Sequence, residues 1–300
     1  MPTNNAIPLQ YKSKELNELF IRGKTPGGDN SPNKTFIDDF TQWIIDSERN
    51  KISGLDKFKH ATFVHGTVQA FDHFYLRHRD KHFKVLPGEF AYHKAALKHN
   101  GFKISTAIQP LDIGDAVILS CPSSLSGSHG SYNWVLPECE EKGIPVLVDM
   151  AWLPVAKNMN INLKYECIDT VCCSISKAFP GAPNLRVGVR WQREYHDDGI
   201  DLANEQQMLP WININIANRL INRWKLDDNW NRFEGLYNDV ILKYRLTKTN
   251  SIIIGLGDSN WRDYHRSSNI NRVCISNELG QMINDGNPRR ILNNVDYICI

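Results

Sequence analysis

Between about residue 60 and residue 190, short apolar runs alternate with polar stretches of helical spacing, and this alternation restricts the fold more than any other feature of the chain. The runs are Ala61-Thr-Phe-Val64, His82-Phe-Lys-Val-Leu86, Ala116-Val-Ile-Leu119, Pro145-Val-Leu-Val148, Thr170-Val-Cys-Cys173 and Leu185-Arg-Val-Gly-Val189, with helical segments such as Tyr92–His99 and Trp134–Lys142 between them. Strand, helix, strand repetition of this kind predicts an α/β fold, a mainly parallel sheet with helices on both faces. A helix is expected from about Phe36, where Phe36, Phe40, Trp43 and Ile44 recur at spacings of three and four.

The flanks differ in character. Residues 1–35 are rich in Asn, Pro, Gly and Lys, with one amphipathic piece around Leu16-Asn-Glu-Leu-Phe20, and read as an N-terminal arm. Residues 36–204 form the large domain. After about Asn204 come the helical stretches Trp211–Trp224 and Trp230–Leu246, then strand candidates Ser251–Ile254 and Arg272–Ser276, so 205–300 is expected to form a smaller α+β domain. Lys+Arg 35 against Asp+Glu 33 leaves a net charge of +2, which provides no field for nucleic acid or an anionic membrane. Mean hydropathy is −0.42, and the apolar runs fall short of the roughly 20 residues a bilayer span needs. No basic region followed by an apolar stretch opens the sequence, so a cytoplasmic protein is expected. The seven cysteines lack Cys-x-x-Cys pairing and the ten histidines lack metal-like grouping, so reduced thiols and no bound metal are expected. Cys172 and Cys173, inside an apolar run, read as core.

In open parallel sheets ligands bind beyond the carboxyl ends of the strands, so the residues that follow each apolar run are the informative ones. They are His65-Gly-Thr-Val68, Pro87-Gly-Glu-Phe90, Ser120-Cys-Pro-Ser-Ser-Leu-Ser-Gly127, Asp149-Met-Ala-Trp152 and Ser174-Ile-Ser-Lys177. One lysine and one aspartate at neighbouring strand ends, beside a Gly-Thr turn that opens a helix, are the parts a pyridoxal phosphate site needs. Lysine forms the Schiff base, a carboxylate keeps the pyridine nitrogen protonated, and the phosphate needs N–H groups at a helix start with hydroxyls and an arginine.

From about Phe63 to Gly188 the chain resembles the fold-type I pyridoxal phosphate enzymes, specifically the class I/II aminotransferases of the aspartate and histidinol-phosphate type. The resemblance rests on Ser174-x-x-Lys177 followed by Arg186 and Gly188, and preceded by Asp149-x-Ala-Trp152. It implies the aspartate aminotransferase-like fold, with Lys177 as the Schiff-base lysine that also moves the α proton and Asp149 as partner of the pyridine nitrogen. Gly66 and Thr67 match the phosphate turn, His65 replacing its first serine, and Ser174 and Arg186 match the other phosphate ligands. Phe90 matches the aromatic that stacks on the ring. Arg272, in Asn271-Arg-Val-Cys274, matches the small-domain arginine that holds the substrate α-carboxylate. A homodimer is implied, because sites of this family are completed across the interface.

Two departures stand out. The family's Asn-Pro-x-Gly stretch, whose Asn bonds the cofactor's 3-hydroxyl oxygen, is here Ser124-Leu-Ser-Gly127, and the tyrosine expected three residues after Asp149 is Trp152. Ser124 through its hydroxyl and Trp152 through its indole N–H are the donors left, and weaker bonds to that oxygen imply a raised Schiff-base pKa. The C-terminal part is short for the family, which implies a pocket that is more open or completed by the partner subunit.

Each residue also has a plainer reading: Lys177 as a solvated lysine, Asp149 as a helix cap, Phe90 and Trp152 as packing, Arg186 as a surface ion pair. Ser174-x-x-Lys177 occurs in the penicillin-binding and β-lactamase group too, but Asp258-Ser-Asn260 and Lys248-Thr-Asn250 are not that group's companion motifs. Gly255-x-Gly257 lacks the third glycine of a dinucleotide turn. The expected activity is therefore transamination between amino acid and keto acid substrates. The alternatives are a lyase, decarboxylase, racemase or cyclase using the same cofactor, or a cofactor-binding relative without catalysis.

Overall fold

The computed structural model describes residues 32–106, 109–130, 132–267 and 269–285. The helices are α1 (Pro32–Ile45), α2 (Thr67–Arg77), α3 (Ala91–His99), α4 (Tyr132–Lys142), α5 (Gly199–Glu205), α6 (Trp211–Arg223), α7 (Asp228–Lys243) and α8 (Ser276–Asn284). The strands are β1 (Lys51–Ser53), β2 (His60–Val64), β3 (His82–Val85), β4 (Ile104–Ser105), β5 (Asp115–Ser120), β6 (Val146–Asp149), β7 (Asn160–Asn162), β8 (Ile168–Ser174), β9 (Gly188–Gln192), β10 (Thr247–Lys248), β11 (Ile254–Gly257), β12 (His265–Ser267) and β13 (Ile270–Cys274). Leu16–Phe20 lies outside the described residues.

A seven-stranded sheet runs in the order β2-β9-β8-β6-β5-β3-β4. The strands from β8 to β4 are parallel, and β9 runs antiparallel to both β8 and β2. The apolar runs are continuous because both faces are covered. Val117, Leu119, Val146, Val148, Val171 and Cys173 pack on the side of α1 and α4. Their neighbours Ala116, Ile118, Leu147 and Cys172 pack on the opposite side, against Phe71, Phe74, Leu97 and Ile200 of α2, α3 and α5. The period of two along each strand thus divides each run between two cores.

The second sheet is antiparallel, in the order β10-β11-β13-β12, and lies within residues 247–274. Both strand candidates there are displaced. Of Ser251–Ile254 only Ile254 belongs to a strand, as the first residue of β11; Ile252 N donates to Val155 O and Ile275 N donates to Ile253 O, so the residues before it bond outside any ladder. Arg272–Ser276 begins late, since the strand occupies Ile270–Cys274 and Ser276 already opens α8. Helices α6 and α7 join the two sheets. Trp43 Nε1 donates to Trp224 O (2.8 Å), Trp230 Nε1 to Val155 O (3.0 Å) and Asn229 Nδ2 to Ala178 O (2.9 Å).

Six cysteines, Cys121, Cys139, Cys167, Cys172, Cys173 and Cys274, are buried free thiols. No helix among the described residues is long and apolar enough to cross a membrane.

Candidate active site

The topology brings one edge of the large sheet to a single line. Gly188 on β9 pairs with both Val64 of β2 and Ser174 of β8, while Asp149 pairs with both Cys172 and Ser120. Because β2 and the parallel strands end there and β9 begins there, the segments after Val64, Val85, Ser120, Asp149 and Ser174, and the segment before Gly188, all meet at that edge. They enclose a cavity of about 290 Å³. Of the ten residues singled out in the sequence, Thr67, Phe90, Ser124, Asp149, Trp152, Ser174, Lys177, Arg186 and Arg272 line it. Gly66 stands behind it.

Gly66 has φ +73°, a left-handed value that favours glycine, and a Cβ there would lie 2.6 Å from Arg186 Nη2. Arg186 donates to His65 O at 3.1 Å. Among the described residues it has no carboxylate partner, so its positive charge is not neutralised by an ion pair. No side chain caps the start of α2, which leaves its first-turn N–H groups with the donor capacity of an uncapped helix start. Thr67, Val68, Ser174 and Ser176 share that wall with Arg186. Gly188 is required by proximity, since a Cβ would come 2.5 Å from Cys173 O and break the β8–β9 pairing that sets Arg186 beside this wall.

Lys177 closes a 3-10 turn, Ile175–Lys177, immediately after β8. The turn is held by Ile175 N donating to Val187 O (3.2 Å) and Ala178 N to Ile175 O (2.9 Å). Burial lowers the Lys177 pKa, with Arg272 and Arg186 acting in the same direction and Asp149 and Cys274 opposing. Asp149 is buried at the end of β6, and its Oδ1 accepts from Ala151 N at 2.9 Å. It therefore does cap a turn, yet it also lines the cavity. Burial pushes its pKa up to about 7, against the Ala151 N–H bond and Lys177. Trp152 lies with its ring centroid 5.9 Å from Lys177 Nζ and 5.5 Å from the Arg272 guanidinium, so it presents its π-face to two cations.

Phe90 is 43% exposed and so is not core. It stacks on Tyr92 at 6.1 Å with 20° between planes and meets His93 edge-on at 6.0 Å. Ser124 differs from expectation in its bonding: its hydroxyl donates to Glu89 Oε2 at 2.6 Å, so its proton is directed into the wall. Arg272, on β13, is buried and donates through Nη1 to Ser124 O. Burial, with Arg266 nearby, lowers its pKa to about 10.

Ser176, Arg266 and Glu89 were not singled out from the sequence. Arg266, on β12, lines the cavity and donates through Nε to Gly88 O at 3.4 Å; nothing in its local sequence marks it. Glu89 is buried behind Ser124. Its signal was present, a carboxylate between a strand end and the aromatic Phe90.

The donor set fits a phosphorylated pyridine aldehyde. Four cations (Lys177, Arg186, Arg266, Arg272) and one carboxylate (Asp149) line the cavity, an excess of positive charge that matches a small polyanion. The uncapped helix start with the hydroxyls of Thr67, Ser174 and Ser176 suits the phosphate. Asp149 Oδ2 has no hydrogen-bond partner among the described residues, which leaves an acceptor for a ring N–H.

No protein-family model matches the chain, and no curated protein matches it. Solved structures do. The histidinol-phosphate aminotransferase from Clostridium acetobutylicum is similar over 93% of this chain and 95% of that one, at TM-score 0.61 and 13% identity. A pyridoxal phosphate-bound C-S lyase from Staphylococcus hominis is similar over 93% and 89%, at TM-score 0.62 and 12% identity. An aminotransferase from Staphylococcus aureus is similar over 93% and 90%, at TM-score 0.64 and 14% identity. What persists at such low identity is architecture, and this chain has the fold of the fold-type I pyridoxal phosphate enzymes, the aspartate aminotransferase-like α/β fold.

Proposed function

We propose that the chain is a pyridoxal phosphate-dependent enzyme acting on an amino acid or related primary amine, an aminotransferase with Lys177 as its covalent anchor. The observation that carries this reading is the convergence of Lys177, Asp149 and Arg186, from separate strand ends, on one cavity. When bound, the cofactor supplies an aldehyde that captures the amine and a ring that draws electrons from the α carbon.

The remaining chemistry belongs to the chain. Thr67, Ser174, Arg186 and the first turn of α2 would hold the phosphate, and Asp149 would hold the ring nitrogen. A cationic N–H beside Asp149 stabilises the carboxylate, which burial alone disfavours. Lys177, with a pKa lowered by burial, offers Nζ as the base that takes the proton from the α carbon. Arg272 would orient the substrate carboxylate with its planar fork. Phe90 and Trp152, which line the cavity, would offer aromatic faces to the ring. The sequence resemblance extends the reading to a homodimer, which sedimentation at several concentrations checks.

A second reading keeps the cofactor and changes the reaction to a lyase, decarboxylase, racemase or cyclase. It is favoured by the C-S lyase of the same fold and by the direction of the Ser124 hydroxyl. Borohydride reduction of cofactor-loaded protein, followed by peptide mass mapping, is expected to place the added mass on Lys177. Lys177→Ala that still retained covalently trapped cofactor would sink both readings. With a panel of amino acids and 2-oxoglutarate, transamination yields a keto acid and glutamate, whereas ammonia or CO2 without glutamate moves the assignment to the second reading.

A further inference from the structure

Glu89 is a buried carboxylate behind the Ser124 side of the cavity, and the proposed chemistry assigns it no task. It sits between β3 and α3 at 7% exposure, and three donors converge on it. Ser120 N donates to Oε1 at 3.2 Å, and the Ser120 and Ser124 hydroxyls each donate to Oε2 at 2.6 Å. A serine hydroxyl has one proton and two lone pairs. Ser124 directs that proton to Glu89, with Gly88 O at 3.4 Å as a longer alternative, so lone pairs are what it has left for the cavity it lines.

We propose that Glu89 is a positioning residue that sets the hydrogen-bond polarity of the Ser124 edge, making that edge a subsite for a donor group of the bound ligand. This rests on the functional reading above, in which the ligand is pyridoxal phosphate, and on the sequence resemblance, which sets Ser124 where the family's Asn meets the ring oxygen. The donor is then that oxygen in its hydroxyl form. An acceptor at this position favours the hydroxyl, whereas a donor favours the phenolate, so the two arrangements shift its titration in opposite directions. The charged and titratable groups near Glu89 are Asp149 at the end of β6, the Cys121 thiol after β5, Arg266 on β12 and Arg272 on β13.

Glu89→Gln is a test of polarity rather than of shape. The Ser120 amide N–H is held in the backbone at the end of β5, so it selects the new side chain's oxygen. That leaves the –NH2 facing both serine hydroxyls, which become acceptors and release the Ser124 proton. The measurement is the pH midpoint of the bound cofactor's absorbance change, read on borohydride-verified holoprotein. Glu89→Gln is expected to lower the midpoint by about one pH unit, roughly tenfold in the protonation equilibrium, and Ser124→Ala by less. An unchanged or raised midpoint in Glu89→Gln overturns the proposal. Should that variant not fold, Ser124→Ala decides: a fall supports the proposal, and no change or a rise overturns it. Borohydride mapping of the same native sample separates the two levels. Native protein without cofactor on Lys177 refutes the functional reading, whereas normal loading with an unmoved midpoint refutes the role of Glu89 alone.

Discussion

Asp149 is the residue at which stability and function pull against each other. In the folded chain without cofactor its carboxyl is protonated up to about pH 7, against the ordinary 3.8. Folding therefore favours the protonated form. Its contribution is fully present below about pH 4 and is lost as pH rises through about 7, a change on the order of 4 kcal/mol. Cofactor-free protein is expected to lose urea resistance across that window, and Asp149→Asn to show a flatter profile. A native profile as flat as that of the variant would contradict the burial argument. Asp149 and Lys177 were both legible in the sequence because Asp149 ends, and Lys177 follows by three residues, an apolar run whose composition predicts a strand. The direction of the Ser124 hydroxyl was not, because its acceptor is 35 residues away and only packing brings the two together.

Strand β9 shows how an element that starts at the cavity's edge holds a residue in its wall. It begins two residues after Arg186 and is pinned at mid-length by Arg190, which is 1% exposed. Arg190 bonds Asp198, Asp201 (2.7 Å) and Thr62 Oγ1 (3.1 Å). Asp198 and Asp201 in turn form the capping box of α5. Arg190→Met would leave Asp201, 3% exposed, as an unpaired buried charge. A loss of about 3–5 kcal/mol is expected in urea unfolding, with weaker anion binding at Arg186. A variant as stable as native would show that the ion pairs are not what holds β9 to α5. Such an element is only half legible beforehand. The apolar positions Val187 and Val189 mark a strand, but its antiparallel direction and its buried Arg190 follow from its place between β2 and β8.

Across the whole molecule, the cavity joins two sheets that lie far apart in sequence. Arg266 reaches Gly88 and Arg272 reaches Ser124, contacts spanning 178 and 148 residues. Ligand binding should therefore tighten the small sheet as well as the large one. At a hundredfold excess over Kd, the cofactor is expected to stabilise the fold by about 2.7 kcal/mol, raising Tm by roughly 4 °C for a chain of this size. Hydrogen exchange should slow in β12 and β13 on loading. Protection confined to the large sheet would mean that Arg266 and Arg272 do not engage the bound molecule.

By itself the sequence determined the layered α/β order and which polar residues stand at its strand ends. Both follow from local periodicity and from the rule that parallel strands expose their carboxyl ends on one edge. Only the tertiary structure decided that Arg266 lines the cavity and that Glu89 takes the Ser124 proton. Those partners are chosen by how the second sheet and the loops pack over that edge, where hydrogen-bond geometry over a few ångströms, rather than spacing along the chain, selects each contact.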